Sequence, residues 1–192
     1  CQFGVLGAAY ALLLLNVERP KVGLLSIGEE SNKGTDLIRQ AYTLLEQAPI
    51  DFLGNLEARE FFSGRADGIV CDGFTGNVTL KLSEGLVETV ESLLHDELAA
   101  TFGGRVGYVL SRQAFRRFRR RVDYSEYGGA PLVGLNGLCI VGHGRSSAKA
   151  VANAVTMAVR AVNENLIKRL ALDLSDLAAR HPQAATRDPH PA

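Results

Sequence analysis

Four short apolar runs constrain this chain most: Val22–Ile27, Ile50–Leu53, Gly68–Cys71 and Leu138–Val141. None alternates polar with apolar residues, which is the pattern of strands covered on both faces. Helical stripes stand between them. Leu37, Ile38, Ala41, Leu44 and Leu45 share one face of a segment closed by Pro49. Val78, Leu82, Leu86, Val90, Leu93 and Leu94 form a second stripe, and Val151, Val155, Ala158, Val159, Val162 and Leu166 a third. Strands alternating with helices predict an α/β fold, a layered and largely parallel sheet with helices on both faces.

Composition narrows the class. A chain of 192 residues suits one domain, and a domain near that size buries roughly 70% of its unfolded surface. With 46% hydrophobic and 22% charged residues, a disordered or fibrous chain is excluded. The 21 basic and 21 acidic residues leave no global charge to attract nucleic acid, and the absence of Trp leaves little for stacking bases. Cys1, Cys71 and Cys139 lack the close, repeated spacing of a metal site or disulfide framework. Cys71 and Cys139 fall in apolar runs, so both are expected to pack as small hydrophobes in a reducing cytoplasm.

The apolar run Phe3–Leu15 falls short of the ~20 residues of a membrane span. No basic region precedes it, as a signal peptide would require, so it reads as a buried helix. The chain does not open on Met, and it is expected to be cut from something longer. The domain is expected to cover residues 1–180. Residues 181–192, with Pro182, Pro189 and Pro191, read as a disordered tail.

In open α/β sheets, ligands bind on the loops beyond the carboxyl ends of the strands. Every apolar run here leads into such a loop: Gly28 to Gly34, Gly54 to Glu57, Asp72 to Asn77, and Gly142 to Lys149. The last is the sharpest. Gly142 and Gly144 let a ligand approach the backbone, while Ser146 or Ser147 can cap the helix that follows. The free N–H groups at that helix start favour an anion, and Arg145 and Lys149 add positive charge. The order of residues is not that of a Walker loop. Asp72 and Asn77 flank a second helix start, where they can orient a substrate or simply satisfy the turn. Lys33 sits in a charged loop with Glu29 and Glu30, which by itself reads as a solvated cluster. A lone His143 says little. No Ser–His–Asp order stands out, and a bound anion acting as nucleophile would not need one.

Residues 105–121 break the neutral pattern, with seven Arg and no acid. Val106, Val109, Leu110, Phe115 and Phe118 are interleaved with the charges. Arg112, Phe115, Arg116, Phe118 and Arg119 are the candidate contacts for an anionic membrane or an acidic protein.

The segments RPKVGLLSIGEESNKG, IDFLGNLEARE, GIVCDGFTGNVTLKLSEGL, DYSEYGGAPLVGLNG and GHGRSSAKA run in order from Arg19 to Ala150. Together they resemble the bacterial phosphate acyltransferases of phospholipid synthesis (PlsX type). The resemblance implies a fold similar to isocitrate dehydrogenase and phosphotransacetylase, with a protruding helical region and a homodimeric assembly. It implies transfer of a fatty acyl group from acyl carrier protein to inorganic phosphate, without a cofactor or metal. Phosphate would be held by Gly142, Gly144, Ser146, Ser147 and Lys149, with Lys33, Asp72, Asn77 and His143 as the catalytic set. It further implies a cytoplasmic, peripherally membrane-bound enzyme that passes acyl phosphate to a membrane glycerol-3-phosphate acyltransferase. The family's Asp-Ala-Met-Gly-Gly-Asp segment has no counterpart within the chain, which therefore reads as the C-terminal part of such an enzyme. Position 145 is Arg where the family tends to have a small residue. Two other readings stay open: a phosphotransacetylase acting on a soluble thioester, and an inactive module for dimerisation or membrane docking. A nicotinamide dehydrogenase is disfavoured, because no GxGxxG follows a strand.

Overall fold

The computed structural model describes residues 1–122, 128–142, 144 and 146–180, with the side chains of 119–122 and 180 excepted. The expectations for His143, Arg145, the Arg119 side chain and the tail at 181–192 lie outside the described residues.

Helix α1 (Gln2–Leu14) leads into strand β1 (Lys21–Leu25), then come α2 (Asp36–Glu46), β2 (Asp51–Leu56) and β3 (Gly68–Val70). The three strands form one parallel sheet in the order β2-β1-β3, as the unalternating apolar runs predict. Thr35 starts α2 by accepting from the Ile38 amide, and α2 ends three residues short of Pro49. Its Tyr42 meets Phe52 of β2 edge-on, with ring centroids 5.3 Å apart.

Val22, Leu24 and Val70 share the sheet face that α1 covers. Gly4 of α1 stands so close to Leu45 of α2 that both helices must lie on that same face. The principal helical cover among the described residues is therefore on one face, where the sequence predicted both. The opposite face carries Gly23, where a Cβ would come within 2.2 Å of Leu56 Cδ1. Leu56 is completely buried, lying across the space that Gly23 leaves.

One residue in β2 is extra. Val22 pairs with Phe52 but Leu24 pairs with Asn55, so Leu53 and Gly54 together oppose Gly23. Gly54 takes a φ of +89°, a left-handed value that glycine adopts without strain. This bulge turns Asn55 onto the face of Leu24; without it Asn55 would point to the other side.

Helix α3 (Gly73–Ala100) has 28 residues and is about 42 Å long at 1.5 Å per residue. It packs against α4 (Phe102–Leu110), which in turn meets α5 (Arg112–Val122). Thr101 caps α4 by accepting from the Gly104 amide, and Arg105 Nε donates to the Ala99 carbonyl across the joint. The Arg-rich stretch is thus two helices broken at Ser111, with a sharp turn before them. The stripe Val78, Leu82, Leu86, Val90, Leu93 and Leu94 is helical as expected but exposed. A 3.6-residue period identifies an apolar face and says nothing about what covers it.

The fourth apolar run departs from expectation. Ile140–Val141 forms β5, which pairs antiparallel with β4 (Ala130–Pro131) in a separate ribbon rather than joining the parallel sheet. Cys139 beside it is exposed, since a two-stranded ribbon offers no second layer to bury it; Cys71 is half-buried as expected. Helices α6 (Ala148–Asn163) and α7 (Leu166–Arg180) follow. The main core lies between α1, α6 and α7, where Leu6, Ala9 and Leu14 meet Ala161, Leu166 and Leu170. This is the buried role expected of the Phe3–Leu15 helix, although Phe3 itself is exposed. The apolar stripe of α6 is largely exposed at Val151, Val155, Val159 and Val162. No described helix is long and apolar enough to cross a membrane.

Candidate functional site

The exits of β1 and β3 are neighbours, because those strands pair directly. That adjacency brings the Lys33 loop and the Asp72 helix start to one edge of the sheet. β1 is prolonged beyond its end by one bond, Ser26 N–H to the Leu56 carbonyl at 2.9 Å. The chain then turns through Gly28 to Gly34. The Lys33 amide closes the turn by donating to the Glu30 carbonyl at 3.0 Å. Asn55 Nδ2, from β2, donates to that same carbonyl at 2.7 Å. Gly28 is buried beneath the Lys33 stem, and a Cβ there would stand 3.0 Å from Lys33 Cγ. The Lys33 ammonium end is free to face solvent, the residue being exposed.

Glu29 is the other tether of this loop. Its carboxylate lies 3.9 Å from both Arg59 and Arg65, on the segment that leaves β2. Arg59 also pairs with Glu57 at 2.7 Å, and Arg65 with Glu60 at 2.5 Å. The Glu57 amide, ahead of the Arg65 guanidinium, holds the Glu60 carboxyl below the usual carboxylate range. Exposed pairs of this kind contribute little individually. Here they link the Glu29 loop, whose charges along the sequence read as a solvated cluster, to the segment that leaves β2.

Asp72 is the N-cap of α3. Its Oδ2 accepts from the Thr75 hydroxyl at 2.5 Å and its Oδ1 from the Thr75 amide at 2.9 Å. These bonds hold the Asp72 carboxyl below its ordinary range. Burial, and then the Asp72 charge, raise the neighbouring Cys71 thiol, which disfavours its thiolate. Asn77 lies exposed in the second turn of the same helix. A depressed native carboxyl stabilises the fold at pH values above the unfolded group's range, and that stability is lost as pH falls through the native value. The expected result is an NMR carboxyl titration of Asp72 centred below that of an exposed aspartate. Helical signal from the start of α3 should be lost over the same interval. Asp72→Ala should abolish that pH dependence.

The glycine loop after β5 is built differently. Gly128 and Gly129 bring the ribbon against other backbone: a Cβ at Gly128 would lie 2.2 Å from the Ala154 nitrogen of α6, and one at Gly129 2.7 Å from the Val141 oxygen. The ribbon is thereby seated on α6. Ser147 rather than Ser146 is the cap, accepting from the Ala150 amide at 3.2 Å. Ser146 Oγ instead stands over Gly142, 3.4 Å from where a Cβ would be. Gly144 and Lys149 are exposed. The first turn of α6 carries no acid and holds Lys149, and its amides present the positive end of the helix dipole.

Lys33, Asp72 and Asn77 therefore share the parallel sheet's edge, while Gly142, Gly144, Ser146, Ser147 and Lys149 belong to the ribbon and α6. The residue that sequence reasoning missed is Asn55. The sequence ends that strand at Leu53 and reads Gly54 to Glu57 as a loop; β2 instead runs on through Leu56, with Gly54 as the glycine of a bulge inside it.

Arg112, Phe115, Arg116 and Phe118 line one side of a cleft of about 220 Å³ between α3, α4 and α5. Phe115 is turned inward, its ring 5.0 Å from that of Tyr108. The outward apolar surface is instead Phe102, Val106, Val109 and Leu110 of α4, with Phe118 of α5 beside the cleft.

The model of a family described as fatty acid synthesis protein matches residues 1–169. The phosphate acyltransferase of Syntrophotalea carbinolica is 48% identical over 182 residues, 95% of this chain and 52% of the relative. That of Acidobacterium capsulatum is 46% identical over 94% of this chain and 53% of its own length. That of Desulforudis audaxviator is 46% identical over 96% of this chain and 55% of its own length. The chain thus spans about half the length of the curated relatives it matches. Given this match over most of its residues, the chain belongs to the fatty acid synthesis protein family, among whose relatives are phosphate acyltransferases.

Proposed function

We propose that this chain carries the phosphate-binding and carbonyl-orienting half of an enzyme that transfers a fatty acyl group from acyl carrier protein to inorganic phosphate. The observation that carries the reading is the positive, glycine-lined start of α6, with Ser147 as its cap and Lys149 in its first turn. In the reaction a phosphate oxygen bonds to the thioester carbonyl carbon and the carbon–sulfur bond breaks. The carrier thiolate leaves and takes up a proton. Phosphate is already ionised near neutral pH, so donors aimed at the developing oxyanion matter more than a strong base, each typically worth about 3 kcal/mol. Lys33 and Asn77, at the sheet edge beside the Asp72 cap, are the donors assigned to that role. Asp72 acts mainly by fixing the start of α3, since both its oxygens are engaged by Thr75.

The exposed apolar stripes of α3 and α6 suit a homodimer contact in the whole enzyme, and the overall plan suits the fold of isocitrate dehydrogenase and phosphotransacetylase. The α4–α5 unit, basic on α5 and apolar on α4, suits peripheral contact with an anionic cytoplasmic membrane. There acyl phosphate would be passed to a membrane glycerol-3-phosphate acyltransferase.

The deciding experiment is phosphate saturation of the full-length enzyme. Lys149→Ala is expected to raise the phosphate KM about tenfold, the size of one charge-assisted contact, with the KM for acyl carrier protein unchanged. An unaltered phosphate KM in Lys149→Ala and in a Ser146→Ala/Ser147→Ala double variant would overturn the assignment.

A further inference from the structure

We propose that Asn55 is a positioning residue: through the Glu30 carbonyl it sets where the Lys33 loop, and with it the Lys33 ammonium group, stands. The proposal rests on the preceding reading only in giving Lys33 a part in turnover.

Three independent features converge on Asn55. The first is the bulge. The extra residue at Leu53-Gly54 shifts the register so that Asn55 opposes Leu24. The left-handed Gly54, at φ +89°, makes that shift possible. A bulge at a strand's carboxyl end re-aims a side chain that an unbroken strand would send to the other face. The second is burial: Asn55 is only 2% exposed, one of two buried polar residues among the described ones. A polar side chain is placed there at a cost unless it bonds well. The third is the target. Glu30 O accepts from both Asn55 Nδ2 at 2.7 Å and the Lys33 amide at 3.0 Å. One oxygen therefore ties a β2 side chain to the turn that presents Lys33.

The other end of the amide points the same way. Asn55 Oδ1 is buried with no hydrogen-bond partner among the described residues. The bond to Glu30 is thus what orients the side chain, and losing it leaves Asn55 with nothing to hold. Gly28 completes the cradle, since a side chain there would press on Lys33 Cγ. The Glu29 pairs at 3.9 Å add only a weak, screened tether from the exposed side.

The test uses the full-length enzyme and Asn55→Asp, which keeps size but puts an acceptor opposite the Glu30 carbonyl. Asn55→Ser, small and uncharged, makes the same cut should a buried carboxylate prevent folding. Hydrogen exchange at the Lys33 amide is read first and does not depend on activity. Its protection is expected to fall about tenfold, the value of one ordinary hydrogen bond, while the exchange of the sheet amides stays native. Unchanged protection at Lys33 would overturn the proposal.

Turnover is read second, as a cycle with Lys33→Ala. The Asn55 variants are expected to lower kcat about 10- to 100-fold with little change in phosphate KM, the scale of a small misplacement of a reacting group. In the Lys33→Ala background they should lower kcat no further. An equal loss in both backgrounds would mean that Asn55 acts on the fold as a whole, and would also overturn the proposal. If Lys33→Ala alone leaves kcat intact while Lys33 protection still falls in the Asn55 variants, the anchor stands and it is the catalytic part given to Lys33 that fails.

Discussion

In the full-length enzyme, Gly128→Ala is expected to lift the β4–β5 ribbon off α6 and disable the glycine loop that follows it, the proposed phosphate site. The added Cβ would lie 2.2 Å from the Ala154 nitrogen, 2.6 Å from the Ala150 oxygen and 2.7 Å from the Asn153 carbonyl carbon. All three are backbone atoms of one helix, so no side chain can swing aside. The residue also holds a φ of +75°, which an L side chain resists. Overpacking of a fixed contact costs about 1–3 kcal/mol, and the left-handed backbone adds about 1 kcal/mol more. The ribbon has only two short strands to oppose that, so it should give way locally before the three-helix core does. The expected measurement is a phosphate KM raised well beyond the Lys149→Ala effect, with a lowered unfolding midpoint. Gly134→Ala is the matched control, since Gly134 has a φ of +89° but nothing within 4 Å of where a Cβ would stand. It should carry the backbone strain alone and keep normal phosphate dependence. Equal phosphate dependence in the two variants would remove the ribbon's seat on α6 as the basis of the site.

The proposed docking of the α4–α5 unit on anionic vesicles is expected to fail when α4 loses its outward apolar residues. Val109 and Leu110 are 68% and 81% exposed. Fully burying a side chain of that size is worth about 1.5–3 kcal/mol. Changing both to Ser should therefore weaken vesicle partitioning about 100-fold or more, while turnover of soluble acyl carrier substrate persists. Each Arg adds about 1 kcal/mol near an anionic surface, and that share should fall as salt shortens the Debye length from about 10 Å at 0.1 M. Phe118→Ser should weaken binding more modestly. Phe115→Ser is expected to act differently, because its ring packs on Tyr108 inside the helical unit and its loss would loosen α5 from α4. Vesicle binding that survives the Val109 and Leu110 changes, with a fall in carrier turnover, would make the unit a carrier dock instead.

Much of the fold is legible in the order of residues. The unalternating runs at Val22, Ile50 and Gly68 name three parallel strands correctly, although the two-faced cover that such runs predict is found mainly on one face. A helix cap at Ser146 or Ser147 is readable, since the bond an N-cap makes is local and reaches only three residues along the chain. The structure chooses Ser147 and makes Asp72, read as a substrate-orienting or turn residue, a cap as well. The family, too, can be read from five ordered segments without any coordinates.

What lies beyond the sequence is everything that depends on distant chain meeting. Leu138–Val141 looks like the other strands, yet it pairs with Ala130–Pro131 because pairing is chosen by neighbours in space and not by apolar content. The stripes of α3 and α6 announce apolar faces without announcing that those faces stand open. Phe115 and Phe118 are equivalent as letters; only the turn at Thr101 and the break at Ser111 send one ring onto Tyr108 and leave the other at the rim. Asn55 is the clearest case. Its amide meets Glu30, 25 positions earlier in the chain, because a one-residue bulge reverses the face it points to. A register shift of that kind is decided by the packing of Gly23 beneath Leu56 and by the positive φ of Gly54. Local residues permitted the bulge, and only the assembled sheet required it.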